Sequence, residues 1–272
     1  MLVKYFKQSF VKYKKWWLIL ALPMWVYGVF MVVQVLVAMT VSGIGKLGVD
    51  IQIGNTVTQT ALISSLVYLL SLVLVMGIPY WLAGRRTSLK LLGINDWPTI
   101  LEVIIAPLAM VVYMLLTGIL MLIAINLFSV DIHQRQALPF SETMLATHSQ
   151  YLLAFITLVV LAPIVEELLF RGYLYGKLRN SFKIWISVLA TSLAFGLAHL
   201  WVGFNNPLQW AVAIDTFALS VIMTTAREYM GAIWVPILMH MIKNGLAFYL
   251  LFINPNAINQ LNSAILPILG GM

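Results

Sequence analysis

The sequence is dominated by apolar runs that are long enough to cross a membrane. A transmembrane helix needs about 20 predominantly apolar residues. Only 9% of the residues are charged and 62% are hydrophobic, whereas a soluble domain carries roughly 25% charged residues. This predicts an all-α fold, a polytopic transmembrane helical bundle with about seven spans, near 17–41, 61–83, 99–128, 151–170, 184–203, 209–226 and 231–253.

The basic residues predict how the bundle is oriented. Twelve Lys and Arg side chains precede the first run or follow the second, fourth and sixth runs, whereas the alternate connections hold only Lys46 and Arg135. Because cytoplasmic loops are enriched in Lys and Arg, we expect a cytoplasmic N-terminus and an external C-terminus. The net charge of +7 then reflects orientation in a lipid bilayer, and we expect no nucleic-acid partner. The chain has no cysteine, which excludes disulfides, thiolate metal ligands and a cysteine nucleophile.

Three charged residues stand inside the fourth apolar run: Glu166, Glu167 and Arg171. A charged side chain at membrane depth costs about 2.5–3.5 kcal/mol on insertion scales, so it needs a partner or a function. Glu167 and Arg171 are four residues apart with the acid first, which predicts an ion pair along the helix. Glu166 projects about 100° away from Glu167 and has no local partner. It is therefore the candidate general base, and the alternative is that all three residues anchor the helix end.

Two later runs each contain a histidine. His199 ends the pattern Phe195-Gly-Leu-Ala-His199, and His240 lies four residues before Asn244 on the same helix face. A single buried histidine is more often a hydrogen-bonded core residue than a catalyst, so each is a weak signal alone. Both, however, follow the charged segment. Lys243, beside Asn244, is predicted to snorkel or to form an ion pair elsewhere, and an ion pair is favoured over a catalytic role.

In this order, the patterns Glu166-Glu167-x-x-x-Arg171, Phe195-x-x-x-His199 and His240-x-x-x-Asn244 resemble the CPBP or Abi family over residues 151–250. These are the CaaX-processing and bacteriocin-processing intramembrane proteases. The resemblance implies an intramembrane endopeptidase in which Glu166 and His199 activate a water, and His240 and Asn244 stabilise the oxyanion. It also implies that Glu167 and Arg171 hold the helix and orient Glu166.

The resemblance also suggests a division of the chain and a biological setting. We predict an N-terminal basic segment with three transmembrane helices over 1–150, a CPBP-like catalytic helical core over 151–254 and an outer tail over 255–272. The expected partner is a membrane-embedded or membrane-surface peptide or protein, cleaved in peptide or bacteriocin processing or in self-immunity. Short loops and the lack of a targeting signal favour the cell membrane of a prokaryote.

A metal site is the open alternative for the chemistry. Glu166, His199 and His240 could bind Zn²⁺ and leave one coordination position open. The HExxH helix pattern is missing, however, and so is any cysteine ligand. We therefore favour glutamate-type chemistry without a metal over a metalloprotease, and keep zinc as the alternative.

Two other functions are compatible with this composition. One is a catalytically silent immunity or scaffold protein of the same fold. The other is an ion-coupled transporter, in which Glu102, Asp215 and Lys243 would line the ion path. The chain shows no repeat symmetry, which many transporters have, and its polar motifs cluster in one half. A serine protease is disfavoured because no serine lies in a nucleophile motif.

Overall fold

The computed structural model describes residues 15–46, 56–131, 138–200 and 207–257. Every regular element within these residues is a helix, which confirms the predicted all-α fold. Five helices are long and apolar enough to cross a membrane: Leu18–Ile44, Val57–Ala83, Ile100–Phe128, His148–Arg179 and Trp234–Ile253. The chain is therefore a multi-pass membrane protein.

Eight helices of four or more residues follow one another along the described residues: α1 (Leu18–Lys46), α2 (Val57–Ala83), the short α3 (Leu89–Leu92), α4 (Ile100–Phe128), α5 (His148–Arg179), α6 (Ile184–Ala198), α7 (Trp210–Met230) and α8 (Trp234–Ile253). A 3₁₀ turn, Glu142–Met144, precedes α5. Helices α6 and α7 occupy the positions of the fifth and sixth predicted spans. With 15 residues, α6 is shorter than the roughly 20 that a full span needs, and α7 carries three charged residues. The count of seven spans stays a prediction.

Helix α5 is the centre of the bundle. It packs against α1, α2, α3, α6, α7 and α8, and Leu169, Leu174 and Leu178 on its second half are buried in the largest hydrophobic cluster. Helix α4 packs on the other side of α7 and α8, through a separate buried cluster. Because α5 touches nearly every other helix, polar groups on it can meet side chains from several parts of the chain.

Two π-helical turns interrupt α5, at Ile156–Leu161 and Leu168–Leu174. Pro163, just after the first, has no backbone N–H to donate, so the regular α-helical ladder cannot continue through it. Glu166 and Glu167 lie in the α-helical piece between the two turns, Ala162–Glu167. Single π turns inside α-helices occur frequently at functional sites.

The segments that carry the basic residues meet at one end of the bundle. The ring of Trp16, before α1, lies 5.3 Å from that of Phe182, after α5. Arg227, near the end of α7, donates to the carbonyl oxygen of Leu91 at 3.2 Å. We call this the basic end; its described members are Lys15, Arg85, Arg86, Lys90, Lys177, Arg179, Lys183 and Arg227. That it faces the cytoplasm stays a prediction.

Some predicted features lie outside the described residues. These are residues 1–14 of the N-terminal basic segment, residues 258–272 of the outer tail, and parts of three connections, 47–55, 132–137 and 201–206. The predicted domain boundaries likewise stay predictions.

Candidate active site

A cavity of about 740 Å³ lies between α2, α5, α7 and α8. Its volume is in the range of small-molecule and cofactor sites, roughly 300–1,000 Å³. The four residues that the resemblance assigns to the chemistry all line it: Glu166, His199, His240 and Asn244. The two that were assigned to holding the helix, Glu167 and Arg171, are fully buried behind it.

Glu167 holds two other side chains at once. Its Oε1 accepts a hydrogen bond from Arg171 Nη1 at 2.7 Å, the contact that the four-residue spacing predicts. The same oxygen lies 2.8 Å from His240 Nδ1. A carboxylate oxygen accepts a hydrogen bond, so Nδ1–H of His240 donates to Glu167 and Nε2 is directed away from it. The resemblance implied that Glu167 orients Glu166, but the contact in the structure is with His240.

Glu166 faces the cavity, and its side chain is 19% exposed. Its Oε2 lies 3.9 Å from His240 Nε2, which is too far for a direct hydrogen bond but short enough for both atoms to bind one water. Its Oε1 accepts a hydrogen bond from Tyr68 Oη at 3.3 Å. Glu166 is thus held from α2 on one side and faces α8 on the other.

Tyr68 is the site residue that the sequence did not reveal. It lies on α2, within the three N-terminal helices that carry no motif, and 98 positions before Glu166. Its ring packs on Phe30 of α1 with centroids 5.9 Å apart, so α1 and α2 together position the hydroxyl. A polar tyrosine inside an otherwise apolar run was the available signal, and it was too weak to select this residue.

His199 lies at the C-terminal end of α6, where its Nδ1 is 2.8 Å from the carbonyl oxygen of Phe195. A carbonyl can only accept, so Nδ1 carries the proton and Nε2 keeps its lone pair. The Phe195 ring is fully buried and contacts both histidines, with centroids 4.7 Å from His199 and 5.9 Å from His240. The guanidinium of Arg171 lies 4.3 Å from the same ring. The Phe195 ring therefore fixes the spacing between the two imidazoles and the guanidinium.

Asn244 is tied to α5. Its Nδ2 donates to the carbonyl oxygen of Leu158, in the first π turn, at 2.9 Å. An amide nitrogen has two hydrogens, so the second remains for another acceptor. The structure brings Asn244 to the same cavity as His240, one helical turn further along α8.

The residues of the transporter alternative do not form one path. Lys243 Nζ pairs with Asp215 Oδ2 at 2.7 Å, which confirms the ion pair predicted for Lys243. Asp215 also accepts a hydrogen bond from Tyr113. Glu102 instead caps α4, where its Oε2 accepts from the backbone N–H of Thr99 at 2.7 Å. Asp215 and Lys243 thus neutralise each other, and Glu102 is hydrogen-bonded in a separate place.

The donor atoms do not form a ready metal site. No group of three or more His, Asp or Glu side chains in the described part of the chain is arranged to hold a metal ion. Glu166 and His240 approach each other, but Nδ1 of His240 already bonds to Glu167. Zinc at Glu166, His199 and His240 therefore finds no support in the arrangement of these side chains.

Comparison with known proteins concerns this same part of the chain. Residues 148–246 match the family model of type II CAAX prenyl endopeptidases, Rce1-like. The chain is also similar to an uncharacterized 24.3 kDa protein of Escherichia coli. The two are 34% identical over 107 residues, which are 38% of this chain and 47% of that protein.

A second relative is the membrane-embedded CAAX protease MroQ of Staphylococcus aureus (strain USA300). It is 29% identical over 107 residues, which are 37% of this chain and 40% of that protein. The chain thus spans less than half the length of these curated relatives, and no solved structure matches it significantly. Residues 148–246, which hold the ordered motifs and many of the cavity residues, are therefore similar to the Rce1-like family of CAAX prenyl endopeptidases, and this similarity supports the resemblance to the CPBP intramembrane proteases.

Proposed function

We propose that the chain is an intramembrane endopeptidase of the glutamate type, which hydrolyses a peptide bond of a membrane peptide or protein. The observation that carries this proposal is the pairing of Glu166 and His240 across one cavity, 3.9 Å apart, with each side chain fixed by a partner of its own. A carboxylate that can activate a water and an imidazole that can stabilise the oxyanion, both held in place and both facing one cavity, are groups that peptide hydrolysis requires.

Glu166 is the general base in this mechanism. A water bound at Oε2 gives one proton to the carboxylate, while Nε2 of His199 accepts a hydrogen bond from the other hydrogen and aligns the oxygen. The water oxygen then attacks the carbonyl carbon of the substrate, and the electrons of the C=O double bond move to its oxygen. Tyr68, hydrogen-bonded to Oε1, leaves Oε2 as the atom that takes the proton.

His240 and Asn244 bind the oxyanion that forms. Protonated His240 donates from Nε2, and Asn244 donates its second amide hydrogen. Glu167, on the other side of the imidazole, balances its positive charge. When the C–N bond breaks, Glu166 returns its proton to the leaving amine, so the products are a carboxylic acid and an amine. Hydrogen-bond donors in a site that excludes bulk water stabilise charge more strongly than they do in solution.

We also propose that the protein acts in the cell membrane of a prokaryote, in peptide or bacteriocin processing or in self-immunity. Support comes from the relatives, of which one is named a membrane-embedded CAAX protease and both are bacterial. The partners are then the substrate and the surrounding lipid, and no nucleic acid takes part.

The test is cleavage by the purified full chain of peptides drawn from the membrane of the host cell. Comparing membrane peptides from cells with the wild type and with Glu166→Gln identifies candidates, which accumulate uncleaved in the variant. We expect Glu166→Gln to lower kcat by at least about 10²-fold, the low end of the effect of general acid–base catalysis. Glu228→Gln, which loses the same charge at the basic end, is the matched control and keeps full activity.

Retention of cleavage in Glu166→Gln would contradict the proposal. If Glu166→Gln keeps the full biological function in cells and the purified chain cleaves none of these peptides, the chain is the catalytically silent immunity or scaffold protein instead.

A further inference from the structure

The cavity occupies one half of the bundle, away from the basic end. None of the described residues that line it belongs to α3, to the connection 84–99 or to the last two turns of α5 or α7. Its wall instead follows α8 from His240 through Asn244 to Phe252. At a rise of 1.5 Å per residue this wall is about 18 Å long.

The wall leads to the opposite end of the bundle, which we call the far end. Phe140 and Phe252 line the cavity and share a buried cluster with Val57, the first residue of α2. Two exposed residues of the connection between α4 and α5, Pro139 and Ser141, line the cavity as well. The cavity therefore reaches the surface at the far end.

The charges of the two ends differ strongly. The basic end holds eight described Lys and Arg residues, and the far end holds Lys46. The bias of Lys and Arg towards cytoplasmic loops assigns the basic end to the cytoplasm. The mouth of the cavity then faces the outside.

We propose that the substrate enters the active cavity from the extracytoplasmic face, as an extended peptide segment with apolar side chains. The proposal rests on the proposed proteolytic function. Much of the described wall between the mouth and Glu166 is apolar; its apolar members include Leu138, Leu158, Ala247, Phe248 and Leu251. Asp215 and Lys243, which also lie on it, form an ion pair and neutralise each other. An extended chain advances about 3.3 Å per residue, so a depth of about 18 Å takes about five residues. The substrate class is thus an exported or membrane-inserted peptide that is presented outside.

The absence of cysteine from the sequence allows a direct test, because a single introduced cysteine is then the only thiol of this chain. Ser141→Cys places it at the mouth, and Asn180→Cys places it on an exposed position just after α5 at the basic end. Bacterial cells that express either variant are treated with a membrane-impermeant maleimide, before and after permeabilisation. We expect Ser141→Cys to react in intact cells and Asn180→Cys to react only after permeabilisation.

Labelling of Asn180→Cys in intact cells, alone or together with Ser141→Cys, overturns the proposal, and so does a failure of Ser141→Cys to react until the cells are opened. Thr143→Cys, on an exposed neighbour, repeats the measurement if Ser141→Cys does not express. Labelling needs no catalytic activity. An external mouth on a chain that cleaves nothing would therefore refute proteolysis and leave the orientation standing, whereas cleavage with a cytoplasmic mouth would refute the entry route alone.

Discussion

Replacing Glu167 and Arg171 together should separate two roles of Glu167, its ion pair with Arg171 and its positioning of His240. Either single replacement disturbs the ion pair and the site at once. Both side chains are fully buried and joined at 2.7 Å, and the same Glu167 oxygen holds His240. In Glu167→Leu the guanidinium loses its acceptor, and its Nε and Nη2 already have no hydrogen-bond partner among the described residues. In Arg171→Met the carboxylate keeps only the imidazole.

The expected loss of stability follows from this burial. Breaking a buried ion pair by removing one partner destabilises by about 3–5 kcal/mol, because the remaining charge is uncompensated. For a chain of this size that lowers Tm by roughly 6–20 °C. Replacing both partners by apolar residues is often neutral or stabilising, so we expect the Glu167→Leu, Arg171→Met double variant to recover most of the Tm.

Activity is expected to behave differently. The double variant has no acceptor for Nδ1 of His240, so the imidazole loses its fixed orientation, and we expect kcat to stay at least about 10²-fold below the wild type, as when one oxyanion donor is removed. Thermal unfolding in detergent and peptide cleavage are measured on the same preparations. The control is Arg179→Met with Glu228→Leu, a partly exposed pair at the basic end. It should cost less than about 1 kcal/mol, singly or together, and leave cleavage intact.

Two results would refute the reasoning. A double variant as active as the wild type means that Glu167 does not position His240. A double variant as unstable as the single variants means that mutual neutralisation is not what makes the pair tolerable inside the helix.

Three further predictions follow from the geometry. Tyr68→Phe removes one hydrogen bond to the catalytic carboxylate of Glu166 and should lower kcat about tenfold with KM unchanged. The control is Tyr113→Phe, which removes a hydrogen bond to a different carboxylate, that of Asp215. An equal fall in kcat in the control would show a general packing effect. Exhaustive chelation of the purified chain should leave cleavage unchanged, and a loss that added Zn²⁺ restores would establish a metal site. Gly196→Ala would place a Cβ 2.9 Å from the carbonyl oxygen of Ala213 and should destabilise the α6–α7 contact by about 1–3 kcal/mol, whereas Gly118→Ala, with no atom within 4 Å, should leave Tm within a few degrees of the wild type.

Contacts inside one helix could be predicted from the sequence. The Glu167–Arg171 pair follows from a spacing of four residues, and the positions of the long helices follow from apolar runs. The grouping of His199, His240 and Asn244 with Glu166 in one cavity came from the ordered motifs. Their individual bonds did not, because a motif says which residues matter and not which atoms touch.

Contacts between helices could not be predicted. Tyr68 meets Glu166 across 98 positions, and His240 meets Glu167 across 73, so each depends on how one helix is rotated and shifted against another. Nothing in a run of apolar residues specifies that rotation. The partner of Asn244 is harder still to foresee, because it is a backbone carbonyl in a π turn.

The π turns of α5 make the number of residues in this helix as important as their identity. A residue in an α-helix is rotated by 100° and advanced by 1.5 Å from the one before it, and a π turn contains roughly one residue more than an α turn. Deleting one residue between Ile156 and Leu161 would allow an ordinary α-helix. Because the π turn takes up its extra residue within one turn, the helix on either side would keep nearly the same orientation. Deleting a residue from the α-helical piece Ala162–Glu167 would instead rotate the preceding turns by about 100° relative to Arg171. Proteins that share this site should therefore vary in length more readily within the π turns than in the α-helical piece between them.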